Sequence, residues 1–116
     1  MLSDMNASTR KLQAEIARTQ REIAALGPLR PGNLYSRLNV CGKPGCRCCR
    51  PKNPVKHGPY HYLSYTFKGK SHTEFVSKRD LPKVAEQVRT YNKFRRLVER
   101  LVECNIELAR LRKEEK

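Results

Sequence analysis

Apolar side chains recur every three or four residues at both ends of this chain and every second residue in its middle. Met5, Thr9, Leu12, Ile16, Thr19, Ile23 and Leu26 keep a 4-3-4-3 spacing, which lines one face of a helix. Ser3 or Asn6 is the expected N-cap. Gly27-Pro28 is the expected stop, with glycine in a left-handed cap and proline unable to continue. A second helix is expected from Leu81 to about Glu115, with Asp80 as N-cap and Pro82 in the first turn, where its missing N–H costs little. Leu81, Val84, Val88 and Tyr91 form one stripe, and Phe94, Leu97, Leu101, Cys104, Leu108 and Leu111 a second, with a shift of phase between Tyr91 and Phe94. The first stripe suits a sheet and the second suits another helix. The simplest partner is the first helix, giving an antiparallel, coiled-coil-like stalk with the central segment at its far end. Val98 and Val102 widen the seam, so a homodimer through the same stripes is the competing arrangement.

Between the helices the period changes to two. Residues 33–41, NLYSRLNVC, read as a strand, and residues 60–77, YHYLSYTFKGKSHTEFVS, as a hairpin turning at Lys68-Gly69-Lys70. A two-residue loop places Leu63 near Val76 or Glu74. A three-residue loop pairs Leu63 with Phe75 and Phe67 with Ser71. The second register gathers Leu63, Tyr65, Phe67 and Phe75 on one face and is the one expected. The fold class is therefore α+β: an N-terminal helix, a small three-stranded antiparallel sheet with an inserted loop, and a long C-terminal helix. All of it falls in one domain, 1–116, divided as helix 1–29, module 30–79 and helix 80–116.

Composition sharpens this picture. The chain has 116 residues, 38% of them hydrophobic, and no tryptophan. Such a core is thin, and small chains of this kind usually need a metal, disulfides or a partner. No apolar run reaches membrane-spanning length, and the N-terminus lacks the apolar core of a secretory signal. A reducing, cytoplasmic setting is expected, where clustered cysteines serve metals more often than disulfides. The net charge of +14 is concentrated. Residues 30–79 hold eleven Lys and Arg against Glu74 alone, a net of +10. A field of one sign focused on one module points to a polyanion.

The same module holds CGKPGCRCCRPKNPVKHGPY, residues 41–60, with four of the five cysteines. Glycine and proline allow the turn that brings Cys41 and Cys46 onto one ion. Cys48 supplies a third thiolate, with Cys49 as its rival, and His57 completes a closed tetrahedral zinc sphere. A redox C-x-x-C should open a helix, and here Pro51 and Pro54 follow instead. His61 and His72 are read as surface or phosphate-facing residues, and Cys104 as a buried, inert thiol of the helical stripe.

The stretch Cys41-Gly-Lys-Pro-Gly-Cys-Arg-Cys48, followed by His57-Gly-Pro-Tyr60 and the tyrosine-rich hairpin, resembles a family of small uncharacterised prokaryotic proteins. These carry C-G-K-P-x-C-R-C and H-G-P-Y motifs before a basic helix and are associated with transposons and other mobile elements. The likeness covers about residues 34–115. In that family a small residue often follows the third cysteine, and Cys49 departs from this pattern. The hairpin also resembles the three-stranded arm-binding modules of tyrosine recombinases, which lay a sheet in the DNA major groove.

The expectation is thus a non-enzymatic, zinc-stabilised nucleic-acid-binding protein, with duplex DNA the expected form. It would be nucleoid-associated if it binds DNA, and an accessory factor of a mobile element if the motif likeness extends to role. Lys43, Arg47, Arg50, Lys52 and Lys56 would meet phosphates from the metal loop, and Lys68, Lys70, Lys78 and Arg79 from the hairpin. Ser64, Thr66, Ser71, Thr73 and His72 are further candidates from the strands. Two alternatives stand beside it. One is an adaptor that docks by its helices onto a larger nucleic-acid enzyme. The other is an RNA-binding protein whose tyrosines stack unpaired bases, provided the core does not need them.

Overall fold

The computed structural model describes residues 2–43 and 45–114. Along the chain run α1 (Leu2–Ala24), β1 (Asn33–Asn39), one 3-10 turn (Arg47–Cys49), β2 (His57–Phe67), β3 (Lys70–Val76) and α2 (Leu81–Glu114). These are the two helices and the three-stranded antiparallel sheet that the periodicity predicts. They fall into two compact units. One is helical, built from α1 and the part of α2 from Thr90 onward, and the other spans Leu29–Arg89.

In the helical unit the stripes behave as their spacing requires. Thr9, Leu12, Ile16, Ile23 and Leu26 are each partly withdrawn from solvent, and Thr19 is fully buried. Burial would leave the Thr19 hydroxyl unpaired, so it donates to the Glu15 carbonyl one turn back, at 2.8 Å. On α2, Leu97 and Leu108 are buried, while Leu101, Cys104 and Leu111 are half-buried. Cys104 is thus less enclosed than the expected core thiol. Arg100 Nε lies 3.1 Å from Glu15 Oε1. Leu12 lines a groove with Cys104, and Ser8 and Lys11 line one with Leu111. Rising numbers on one helix meet falling numbers on the other, so the pair is antiparallel.

The helix ends differ from the expected caps. Helix α1 begins at Leu2, which puts Ser3 and Asn6 inside it. The side chain of Met5 and the residue Glu115 lie outside the described residues. Gly27 does not take a positive φ. The helix closes earlier, by Ala25 N–H to Arg21 carbonyl at 3.0 Å and Leu26 N–H to Ile23 carbonyl at 3.2 Å. This narrowing of the last turn satisfies terminal carbonyls without a left-handed residue. At the start of α2, Val84 N–H donates to the Asp80 carbonyl at 3.0 Å, so Asp80 is the flanking residue as expected.

In the other unit the strands follow the order β1-β2-β3. Leu34 stands opposite Leu63, and Tyr35 opposite Tyr62. Across the hairpin Leu63 faces Glu74, Tyr62 faces Phe75, and Phe67 faces Lys70. The expected three-residue register is therefore wrong. Only Lys68 and Gly69 form the loop, and both have positive φ, 51° and 76°. That is the turn whose twist matches the flanking strands. A slip of one residue sends every side chain of a strand to the opposite face. Phe75 accordingly leaves the Leu63 face and is 63% exposed.

The two faces are now unequal. Leu63, fully buried, joins Val76 and Val84 in a core against which Leu34, Tyr65, Leu81 and Val88 pack. Val84, Leu81 and Val88 belong to the first stripe of α2, which covers the sheet as expected. Beside this core Arg30 pairs with Glu74, and Tyr65 donates to the same carboxylate at 3.1 Å. Arg30 holds the Glu74 carboxyl below its ordinary range. The opposite face carries Tyr35, Arg37, Tyr60, Tyr62 and Phe75, followed toward the turn by Ser64, Thr66, Ser71 and Thr73.

The register is testable by stability. Leu63→Ala should cost about 2–5 kcal/mol, as for a fully buried leucine. Phe75→Ala should cost less than about 1 kcal/mol, because that ring fills no core. Urea unfolding of the metal-loaded protein separates the two, and comparable losses would restore the three-residue register.

Candidate metal centre

The loop between β1 and β2 folds by successive tight turns. Cys46 N–H donates to the Lys43 carbonyl at 3.3 Å, and Cys49 N–H to the Cys46 carbonyl at 3.0 Å. Val55 N–H then reaches the Arg47 carbonyl at 2.9 Å, which draws the returning limb toward β2. Two turns in so few residues aim alternate sulfurs inward. Cys48 is buried, whereas its neighbour Cys49 is exposed.

At the base of the loop His57 opens β2 and pairs with Asn39, beyond an irregularity in β1. Gly58 follows with φ of 115°. A Cβ there would meet Tyr60 N at 2.8 Å and the Arg37 carbonyl at 2.9 Å. Both backbone sign and space therefore require glycine after His57, which gives the His-Gly-Pro-Tyr motif a physical reason. It lets the strand start close against β1 while the imidazole turns to the cysteines.

The four expected ligands come together. One ligand atom from each of Cys41, Cys46, Cys48 and His57 lies within 4.8 Å of every other. Cys41 Sγ and Cys48 Sγ are 3.4 Å apart, and Cys46 Sγ is 3.1 Å from His57 Nε2. A tetrahedral ion with metal–sulfur bonds of about 2.3 Å places its ligand atoms about 3.7 Å apart. The cluster matches that size. Cys49 stands outside it, with its Sγ 3.7 Å from Cys48 Sγ and 3.4 Å from the Cys41 carbonyl oxygen. All five cysteines are free thiols.

The electrostatics suit a cation. The Cys48 backbone N–H, then the Cys41, Cys48 and His57 side chains, pull the Cys46 thiol down to about 6. Cys41 is drawn down by the Lys43 backbone N–H, yet the side chains of Cys46 and Cys48 and its burial leave it raised overall. Burial, first of all, raises Cys48. Three sulfurs at this range cannot all ionise against one another, so two keep their protons until a positive ion replaces them.

The expected phosphate contacts are all on the surface. Lys43, Arg47, Arg50, Lys52 and Lys56 are exposed around the metal loop, and Lys68, Lys70, Lys78 and Arg79 are exposed at the hairpin turn and before α2. Lys68 Nζ lies 5.5 Å from the Phe67 ring centroid, and Arg79 Nε is 3.4 Å from Asp80. Ser64, Thr66, Ser71 and Thr73 share the open face of the sheet, while His72 lies on the other face, stacked on Tyr65 at 4.9 Å. The aromatic row of the open face was not anticipated. Its signal was the two-residue loop, which gives Phe75 to Tyr62.

Fold and site together define a small α+β protein built around a Cys3His cluster in a basic β module. The chain belongs to the family described as a domain of unknown function, DUF6788, whose model matches residues 9–86. That span includes the whole cluster and all three strands. No curated protein and no solved structure matches the chain. Among the described residues, no helix is long and apolar enough to cross a membrane.

Metal content should rank the cysteines. Cys48→Ser should lose most of the bound metal, and Cys49→Ser should keep it. Gly58→Ala should lower retention as well, because it displaces His57 without removing a ligand. Measuring metal per chain after desalting decides the matter, and the reverse order for the two serine variants would move the site to Cys49.

Proposed function

We propose that this protein is a zinc-stabilised nucleic-acid-binding protein. The observation that carries the reading is the placement of charge. Between residues 30 and 79, eleven Lys and Arg face a single carboxylate, Glu74. That carboxylate is held by Arg30 on the core side of the sheet. The cations of the metal loop and the hairpin turn are left free of acidic neighbours within the module. Such a field favours phosphate, and phosphate contacts position a nucleic acid without reading its sequence.

Zinc is the ion best suited to the donor set. Three soft thiolates and one imidazole in a closed, tetrahedral-sized cluster favour it over hard cations, which take oxygen. It would hold the basic loop to the end of the sheet. In small sites of this kind the binding energy of the metal is folding energy. The motif likeness adds an accessory role in a mobile element to this reading.

The adaptor reading has one observation of its own. Val102 and Ile106, one turn apart on α2, are 50% and 49% exposed. Under the adaptor reading, a protein partner would dock over this apolar pair. Stoichiometric co-purification of such a partner would favour it.

Purified protein should carry one zinc per chain and lose cooperative melting on strong chelation, with Cys104→Ala unaffected. Binding to labelled nucleic acid should weaken as salt rises. Each phosphate contact contributes about 0.9 to the slope of log K against log salt on duplex DNA, and about 0.7 on single strands. Lys68→Gln with Lys70→Gln should weaken binding and flatten that slope. Arg110→Gln with Arg112→Gln should do neither. Equal effects from the two pairs would show a diffuse field and remove the module from its role.

A further inference from the structure

The face of the sheet opposite Leu63 is lined by aromatic side chains, of which Tyr35, Tyr60 and Tyr62 are half-buried and Tyr62 accepts from Asn39 Nδ2 at 3.2 Å. Its four rings form a continuous row. Tyr35 stacks on Tyr62 at 5.7 Å, Phe75 meets Tyr62 edge-on at 6.0 Å, and Tyr60 meets Phe75 at 6.4 Å. Arg37 stands opposite Tyr60 in the same face, at the end where the metal loop begins. Phe75 is 63% exposed, and Arg37, Thr66, Ser71 and Thr73 are exposed too. A surface holding this much aromatic area in a strongly charged protein would be unfavourable to keep in water without a use.

We infer that this face is a stacking platform for an unpaired RNA strand. The inference rests on the nucleic-acid reading above and names the form of the ligand. Three features select it. Aromatic rings in a row on a sheet face offer bases a π surface, which a duplex keeps closed within its own stack. The one carboxylate of the module lies on the other face, bound by Arg30, so nothing on this face repels a phosphate chain. Cations bracket the row, with Arg37 and the metal loop at one end and Lys68 in the turn at the other.

Ribose is favoured by the hydroxyls beside the rings. Ser64 faces Thr73, and Thr66 Oγ1 lies 3.3 Å from Ser71 Oγ. Each hydroxyl can donate and accept, as the 2′-hydroxyl of RNA does and deoxyribose cannot. The sequence pointed to duplex DNA because the aromatic side chains were assigned to the core. The two-residue turn removes that assignment for Phe75, while Tyr65 keeps it.

The test uses the zinc-loaded full chain and three labelled probes at one salt concentration: a 15-mer of uridine, the matching thymidine 15-mer, and an RNA duplex of the same length. The uridine strand should bind most tightly. Phe75→Ala should weaken it about tenfold, the effect of one lost base stack, while leaving the salt slope unchanged. Phe75→Tyr should restore it. The chain has no tryptophan and three of its five tyrosines lie on this face, so the uridine strand should also quench tyrosine emission of the unaltered protein. This second readout stands even if Phe75→Ala fails to fold.

Duplex binding as tight as the uridine strand, an indifferent Phe75→Ala, or unquenched emission would each overturn the platform. Salt-dependent binding would then persist, and the polyanion reading with it. Equal affinity for the thymidine strand would overturn the assignment to RNA. No binding to any probe at low salt would take down the nucleic-acid reading itself.

Discussion

Leu63 stands opposite Glu74 because only Lys68 and Gly69 turn the chain between β2 and β3. Most of the module depends on that pairing. It places Val76 beside Leu63 and Tyr65 on the face that α2 covers, and it brings Glu74 to Arg30. It also sends Phe75 to the opposite side, beside Tyr62 and Tyr60. One more residue in the loop would reverse β3 alone. Phe75 would then enter the core, Glu74 would face solvent on the open side, and the aromatic row would lose its outer ring. The non-glycine residue in this turn has a cost, since Lys68 sits at a φ that lysine rarely adopts. What offsets it is the burial of Val76 beside Leu63, which only this register allows.

The metal loop answers a different constraint. The sheet unit buries few side chains completely, and the loop itself has no apolar cluster to close on. Its turns are made by backbone hydrogen bonds at 2.9–3.4 Å among Lys43, Cys46, Arg47, Cys49, Arg50 and Val55. Those bonds shape the loop but do not anchor it. The anchor is the convergence of Cys41, at the end of β1, with His57, at the start of β2, and with two sulfurs from the loop between. An ion there would tie both strand ends and the loop at one point. Gly58 makes this closure possible by letting β2 begin hard against the Arg37 carbonyl.

Both helices, their stripes and three members of the cluster, Cys41, Cys46 and His57, were legible in the sequence, because each rests on spacing that one-dimensional order preserves. Leu12, Ile16, Thr19 and Ile23 can share a face in only one way if the segment is helical. Cys41, Cys46 and His57 can converge only if glycine and proline turn the chain between them. Other features depend on a comparison of near-equal alternatives. Lys-Gly is not among the strong hairpin dipeptides, so nothing local distinguished a two-residue loop from a three-residue one. The end of α1 was misplaced for a similar reason: Gly27 offered a left-handed cap, but a tightened last turn served as well. Cys48 and Cys49 are adjacent and chemically identical, and only the 3-10 turn at Arg47–Cys49 decides which one points inward.

Charge connects the two halves of the site. Eleven cations in fifty residues, offset by one carboxylate, repel one another, and self-repulsion opposes a compact state. The cluster works against this in a way that its formal positive ion conceals. Without metal, Cys41 and Cys48 hold their protons and contribute no charge, while Cys46 is already drawn toward its thiolate. A divalent ion bound by three thiolates and a neutral imidazole leaves the site one unit negative. Loading the metal therefore adds no positive charge at the centre of the basic loop, and Lys43, Arg47 and Arg50 surround a weakly anionic core. On the nucleic-acid reading, any attraction for phosphate would then belong to the side chains rather than to the ion. A polyanion that covers those side chains relieves the repulsion that folding left in place, so binding and stability of this module should rise together.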